Sequence, residues 1–379
     1  MNQQEEFLDT GVLYALEDIL IRHTPKMVFL VTGKKSYELC GAKDILEPIL
    51  EKYAYVRFSD FSVNPKIEDI TRGVQLYKDS ECDFVIAVGG GSVLDVAKAV
   101  NIFAANGGQP EDYVLKKEGI CVKGAPLAAI PTTSGSGSEA THFAVIYIGK
   151  TKYSLAHEYI CPNYAIVDSE FTMSLPSKIT ASTGMDALCQ AVESYWNVKS
   201  TEESKNYAAE AIQIILKNLK TAVVEPDEES KKAMALGSHL AGKAINISQT
   251  TACHAISYPI TSYFGVPHGH AVGLTLPSMI VYNYGACKED ALDGRGLEYV
   301  KDTMDELLNL LGVESAEEAK EKVTGLMTSI GLETKLGELD ISKTDIDIII
   351  DNGFNPDRVK NNPRLINEKN LRDMLENLL

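Results

Sequence analysis

Four side chains in the second half of this 379-residue chain have the chemistry of metal ligands. Asp186 and Gln190 stand at i and i+4, so on a helix both point the same way. His254 and His268, on a later segment, add two imidazoles. One carboxylate and two imidazoles suit a first-row divalent ion, with the amide oxygen of Gln190 as a weak fourth ligand. Spacing by itself leaves a plainer reading open, in which Asp186 caps or solvates its helix and the histidines are hydrogen-bonded core residues.

A second group has the chemistry of a phosphate cradle. Gly89, Gly90, Gly91 and Ser92 end an apolar strand and open a helix. Glycines let backbone N–H groups approach a phosphate, and the helix end adds a favourable partial charge. Another small-residue loop, PTTSGSGSE at 131–139, follows the strand LAAI and offers further hydroxyl and backbone donors. Neither loop is a GxGxxG, but two such loops at strand ends favour a dinucleotide site over an ordinary turn.

The elements that must position these groups fall into two kinds. Up to about residue 175 short apolar runs alternate with amphipathic stretches: MVFLVTG (27–33), a helix over 41–53, YVRFSDF, a helix over 67–79, FVIAVGGG (84–91) and a helix from Ser92. That alternation predicts a mostly parallel sheet with right-handed crossovers, whose ligands bind at the carboxyl ends of the strands. After LPSKI (175–179) helical periodicity takes over, as in Ala208, Ala211, Ile212 and Ile215. The expectation is an α/β domain over 1–176 followed by an all-helical domain over 177–379, with an irregular connection at 352–363.

Composition excludes several classes. The net charge of −17 disfavours nucleic acid and anionic lipid, which are bound through clustered Lys and Arg. No apolar run approaches membrane-spanning length, and the amino terminus MNQQEEFLDT is acidic where a secretion signal carries positive charge, so a cytoplasmic protein is expected. Seven scattered cysteines, with no CxxC pair, read as reduced thiols.

Several ordered segments carry a resemblance over nearly the whole length: GGGSVLDVAKAV, PTTSGSGSEAT, YAIVDSEFTMSLP, TASTGMDALCQAVESYW, ACHAISYPIT and VPHGHAVGLTLP. In these the chain resembles the iron-containing (group III) alcohol dehydrogenase family. The resemblance implies a Rossmann-like domain, a helical domain of the dehydroquinate synthase-like layout, and a cleft holding NAD(P) beside a divalent metal, iron or zinc. It also implies a homodimer. Gly89 to Ser92 would hold the pyrophosphate, Asp95 and Lys98 would approach the nicotinamide side, and Thr132, Thr133 and Ser138 would line the cofactor, with Asn64 in the same set. The metal ligands fall on Asp186, Gln190, His254 and His268, where the second is a histidine in the family. An amide there implies a metal held loosely, changed or absent. Tyr258 stands where many members carry a histidine that is a candidate proton relay, which leaves Tyr258, His270 or a water to deliver the proton.

Cofactor choice follows from Thr32–Gly33–Lys34–Lys35–Ser36. NAD-preferring relatives carry at the Gly33 position an Asp that bonds the ribose 2′-hydroxyl and repels a 2′-phosphate. With Gly33 in its place and Lys34 adjacent, NADPH is the expected cofactor and NADH the alternative. The stretches FAVIY, KYSLAH, KAINIS and HAISYPITSYFGVPHGHAV are similar to the branch that reduces phosphonoacetaldehyde to 2-hydroxyethylphosphonate. Lys243, Ser248 and Thr251, ahead of His254, offer a cation and hydroxyls for the head group of a small anionic aldehyde. The competing readings are a general short-chain alcohol or polyol dehydrogenase, a cyclase of the same layout, and a nucleotide-binding sensor without catalysis.

Overall fold

The computed structural model describes residues 4–354 and 356–379; the first three residues of the amino-terminal stretch and position 355 in the expected irregular connection lie outside them. The chain forms two compact units, Met1–Leu175 and Pro176–Leu379.

Six strands of the first unit form one parallel sheet: β1 (Glu5–Asp9), β2 (Val28–Thr32), β3 (Tyr55–Phe58), β4 (Phe84–Gly89), β5 (Leu127–Pro131) and β8 (Tyr164–Asp168), in the order β1-β8-β5-β4-β2-β3. Strands β2, β4, β5 and β8 are buried along their whole length, because helices cover both faces. Alternation divides them: Val28, Leu30, Phe84 and Ile86 pack with α1 (Ala15–His23) and α3 (Ala42–Leu50), which follows the short α2 (Ser36–Leu39). Phe29, Val31, Val85 and Ala87 pack on the opposite face with α4 (Ile67–Asp79) and α5 (Gly91–Asn106), which is followed by the short α6 (Pro110–Val114). The chain steps from β2 outward to β3, then returns to β4 on the other side of β2. The order therefore reverses between β2 and β4, and the crevice beyond their carboxyl ends is where such sheets bind ligands.

Two features differ from the sequence expectation. Strand β1 is an edge strand with the acidic sequence EEFLD, and β6 (Phe143–Ile148) and β7 (Thr151–Ala156) form a separate antiparallel hairpin.

The longer elements of the second unit's described residues are all helices: α7 (Ser177–Trp196), α8 (Glu202–Val224), α9 (Glu228–Ser248), α10 (Ala252–Phe264), α11 (His268–Tyr284), α12 (Leu297–Leu311), α13 (Ala316–Ser329), α14 (Ile346–Gly353), α15 (Pro356–Val359) and α16 (Glu368–Glu376). The short α15 occupies part of the expected irregular connection. Helix α7 is buried on every side from Met185 to Trp196, the signature of a central helix. Its neighbours approach closely because glycine allows it: a Cβ on Gly184 would stand 2.2 Å from Leu219. Helices α8 and α9 start in capping boxes, Thr201 with Ser204 and Asp227 with Ser230. Among the described residues no helix is long and apolar enough to cross a membrane.

Candidate metal centre and cofactor loops

Asp186, Gln190 and Glu193 follow one another at i, i+4 and i+7 on α7, and all three are buried. Two further helices bring their first turns to this face. Helix α10 ends at Gly265, whose φ of 74° suits the left-handed stop that glycine tolerates, and α11 starts at His268 after Pro267. The two histidines thus come from the amino-terminal turns of α10 and α11. Ligand atoms of Asp186, His254 and His268 all lie within 4.8 Å of one another.

Both imidazoles are fixed by their Nδ1 atoms. His254 Nδ1 meets Glu193 Oε2 in a short contact. Its Nε2 has no hydrogen-bond partner among the described residues and faces Asp186 Oδ1 at 3.4 Å. Ser257 donates its hydroxyl hydrogen to the His254 carbonyl at 2.7 Å, so His268 Nδ1, 3.2 Å from the same oxygen, is the donor of that pair. His268 Nε2 then looks to Asp186 Oδ1 at 4.0 Å. Burial works against a charged His254 ring, but Glu193 and then Asp186 hold its pKa up to about 9. Burial likewise pushes Glu193 up, yet His254 and the donors around it leave the carboxyl below its usual range.

This donor set fits a divalent cation. Two Nε2 atoms converge on one carboxylate oxygen, one of them is an orphaned buried nitrogen, and Gln190 follows Asp186 by one turn. The close approach that brings His268 to Asp186 depends on Gly269, where a Cβ would lie 1.9 Å from the Ser182 carbonyl oxygen and 2.7 Å from Asp186 Cβ. Glu193 is the residue that sequence reasoning missed. Its signal was the extension of the Asp186–Gln190 face by three positions, hidden because a helical Glu is ordinarily solvated.

The structure redirects several expected contacts. His270 Nε2 donates to the Glu333 carbonyl at 2.7 Å, which ties that ring nitrogen to the segment after α13 rather than to the Asp186 cluster. Tyr258 keeps a place beside the cluster, its ring 6.2 Å from that of His268. Ser248 donates within the interior, 2.8 Å from Ser194 Oγ and 2.9 Å from the Gln249 carbonyl. Thr251 Oγ1 accepts from Trp196 Nε1 at 3.0 Å and donates to Glu193 Oε1 at 2.7 Å. Both hydroxyls are thus engaged by partners inside the protein, Ser194 and Glu193 among them. Lys243 is half-buried, with Nζ 4.8 Å from the centre of the Tyr207 ring.

In the first unit the phosphate-cradle residues gather at the β2/β4 reversal. Gly90, Gly91 and Ser92 are half-buried, and the second loop is packed onto them: Thr132 N donates to the Gly89 carbonyl at 3.0 Å, and a Cβ on Gly91 would stand 2.8 Å from Ser136 Oγ. Asn64, in a left-handed turn with φ 61°, donates its backbone N–H to Ser92 Oγ at 3.3 Å. Gly33 lies at the end of β2, where Arg57 of β3 donates to Thr32 Oγ1 at 2.8 Å and to the Gly33 carbonyl at 3.2 Å. Lys34 is exposed and paired with Asp60 at 2.7 Å. Lys98 and Ser138 are bonded within the protein: the Lys98 ammonium is buried, 2.9 Å from Ser138 Oγ, the Thr141 carbonyl and the Phe143 carbonyl, while Ser138 donates to Asp95 at 2.7 Å. These groups brace the loop through their own hydrogen bonds.

Comparison with known proteins finds family matches over most of the chain. The family described as iron-containing alcohol dehydrogenase matches residues 5–169, and the Fe-containing alcohol dehydrogenase family, C-terminal, matches residues 180–379. The chain is 30% identical over 351 residues to long-chain-alcohol dehydrogenase 1 of Geobacillus thermodenitrificans, covering 88% of this chain and 84% of that one. It is 33% identical over 305 residues to phosphonoacetaldehyde reductase of Streptomyces viridochromogenes, covering 77% and 75%. Among solved structures, sulfoacetaldehyde reductase from Bifidobacterium kashiwanohense in complex with NAD+ superposes with a TM-score of 0.89 at 31% identity, covering 100% of this chain and 97% of that one.

Proposed function

The chain belongs to the iron-containing alcohol dehydrogenase family, and from that premise we propose that it reduces a small anionic aldehyde, phosphonoacetaldehyde first, to the primary alcohol with NADPH. The observation that carries the substrate is the pair of relatives at 33% and 31% identity, both named for a two-carbon aldehyde with an anionic head group. A nicotinamide bound at the loops of Gly89–Ser92 would supply a hydride for the aldehyde carbon, and one proton completes the alcohol. Asp186, His254 and His268, with Gln190 as a weak fourth ligand, would hold a divalent ion, iron or zinc, which would supply a Lewis acid for the aldehyde oxygen. The chain's own residues do the rest. Glu193 and Ser257 hold the two imidazoles in one tautomer, and Tyr258, half-buried beside His268, is our candidate to deliver the proton.

Lys243 is the remaining candidate for the head group now that Ser248 and Thr251 are committed elsewhere. Steady-state NADPH oxidation with phosphonoacetaldehyde and propanal tests both ideas. The wild type is expected to prefer the anion, and Lys243→Ala to lower kcat/KM for it by about 1.5–3 kcal/mol while sparing propanal. A wild type that prefers propanal, or a variant that slows both alike, makes the protein a general short-chain aldehyde reductase.

The NADPH reading rests on Gly33, supported by the Arg57 guanidinium fastened to the same turn. An Asp at this position would set a carboxylate against a 2′-phosphate, and like charges so placed cost several kcal/mol. Gly33→Asp is therefore expected to move the NADPH/NADH ratio of kcat/KM toward NADH by at least about tenfold. The new Cβ would stand 2.1 Å from Ser36 Oγ, so Gly33→Asp/Ser36→Ala is the variant to compare alongside. Equal use of both cofactors by the wild type would remove the argument.

A further inference from the structure

We propose that Glu193 is a positioning residue of the metal centre, supplying the second negative charge that a buried divalent ion needs and fixing the ring nitrogen of His254 that meets it. The inference rests on reading Asp186, His254 and His268 as metal ligands.

Glu193 has no exposed surface, and each of its oxygens is engaged. Oε1 accepts from Thr251 Oγ1 and from the Cys253 backbone N–H, both at 2.7 Å. Oε2 meets His254 Nδ1. The N-cap residue of α10, Thr251, makes no side-chain cap of its own, so Glu193 reaches across from α7 to satisfy an open N–H of that helix. One carboxylate thus fixes the start of α10 and the ring that α10 carries. Because Nδ1 is taken, Nε2 is the nitrogen turned to Asp186 Oδ1 at 3.4 Å. Trp196 Nε1 donates to Thr251 at 3.0 Å, which extends the brace into the core.

Charge gives the second half of the argument. The amide of Gln190 is neutral, and two imidazole ligands add no charge. Asp186 alone would leave a divalent ion with an unbalanced positive charge in a site whose Asp186 and His254 are buried, and burial penalises that heavily. Asp186 and Glu193 together balance it, Glu193 acting through the His254 ring.

Affinity for Zn2+ and Co2+, measured by chelator competition on wild type, Glu193→Gln, Glu193→Asp and Thr251→Val, tests the proposal. Glu193→Gln keeps the size and the acceptor for Cys253 but loses the charge; it is expected to bind both ions about 10- to 100-fold more weakly and to change the Co2+ absorption spectrum. Thr251→Val keeps the charge but removes one of the two donors to Oε1, and is expected to weaken binding less than Glu193→Gln does. Should Glu193→Gln not fold, Glu193→Asp carries the test through its shortened reach, with weaker binding and an altered spectrum expected. Wild-type affinity in the Gln variant, or in the Asp variant where that one decides, overturns the role of Glu193 and leaves the metal centre standing. A wild type that binds neither ion overturns both.

Discussion

Gly269→Ala is expected to unfold the helical unit several degrees lower than the wild type and to leave it without retained metal. The added methyl would sit 1.9 Å from the Ser182 carbonyl oxygen and 2.9 Å from its carbonyl carbon, and these are backbone atoms with no rotamer to change. Helix α11 must therefore move away from α7. Overpacking of this kind costs about 1–3 kcal/mol and sometimes more, and in a unit of this size each kcal/mol is worth about 2–4 °C in Tm. The movement also breaks the bond from His270 N to Ser182 Oγ at 3.2 Å and draws His268 away from Asp186. Thermal unfolding together with metal content after dialysis checks the expectation. An Ala variant that melts with the wild type and keeps its metal would show that α11 has slack the structure does not display.

The same glycine illustrates what was legible beforehand. The motif around it marked His268 as a ligand candidate, yet nothing local in VPHGHAV says that Gly269 must accept a carbonyl from another helix. Signals of short range were readable. Strands β2, β4 and β5 are apolar runs ended by Thr, Gly or Pro, and the change of period near 175 lies next to Pro176, where the second unit begins. Signals that depend on distant pairing were not. Strand β1 is acidic and becomes a strand by pairing with β8, and FAVIY and KYSLAH carry the branch resemblance while the hairpin they form exists only through their pairing with each other. Polar residues find partners that lie far along the chain. Ser248 and Thr251 suggested open hydroxyls, while Ser194 and Glu193, on another helix, take them up. His270 suggested a relay because the Glu333 carbonyl that holds it is invisible in sequence.

Lys98 belongs to this last group, and Lys98→Met is expected to be among the most destabilising single substitutions in the first unit. The side chain has almost no exposed surface, and its nitrogen reaches Ser138 Oγ and two backbone carbonyls at 2.9 Å each, an arrangement that matches the three hydrogens of an ammonium. Burial pushes the ammonium pKa down, but Asp95 pulls it back, and Asp95 itself accepts from Ser138 at 2.7 Å and from Val145 N at 3.0 Å. The cation therefore ties α5 both to the loop at 131–138 and to the hairpin of β6 and β7. Removing it leaves two carbonyls and the Ser138 hydroxyl oxygen without their donor and the Asp95 carboxylate without its countercharge, a defect of about 3–5 kcal/mol. Replacing both charged residues should cost less, because an apolar pair leaves no lone charge behind, so Lys98→Met/Asp95→Leu is expected to recover part of the loss. Denaturant unfolding of the single and double variants, with hydrogen exchange at the Val145 amide, gives the comparison. If Lys98→Met unfolds at the wild-type midpoint and the Val145 amide exchanges no faster, the lysine is not what fastens the hairpin. If the midpoint falls and the KM for the nicotinamide cofactor rises with it, the same brace also shapes the loop that faces Gly90 and Gly91.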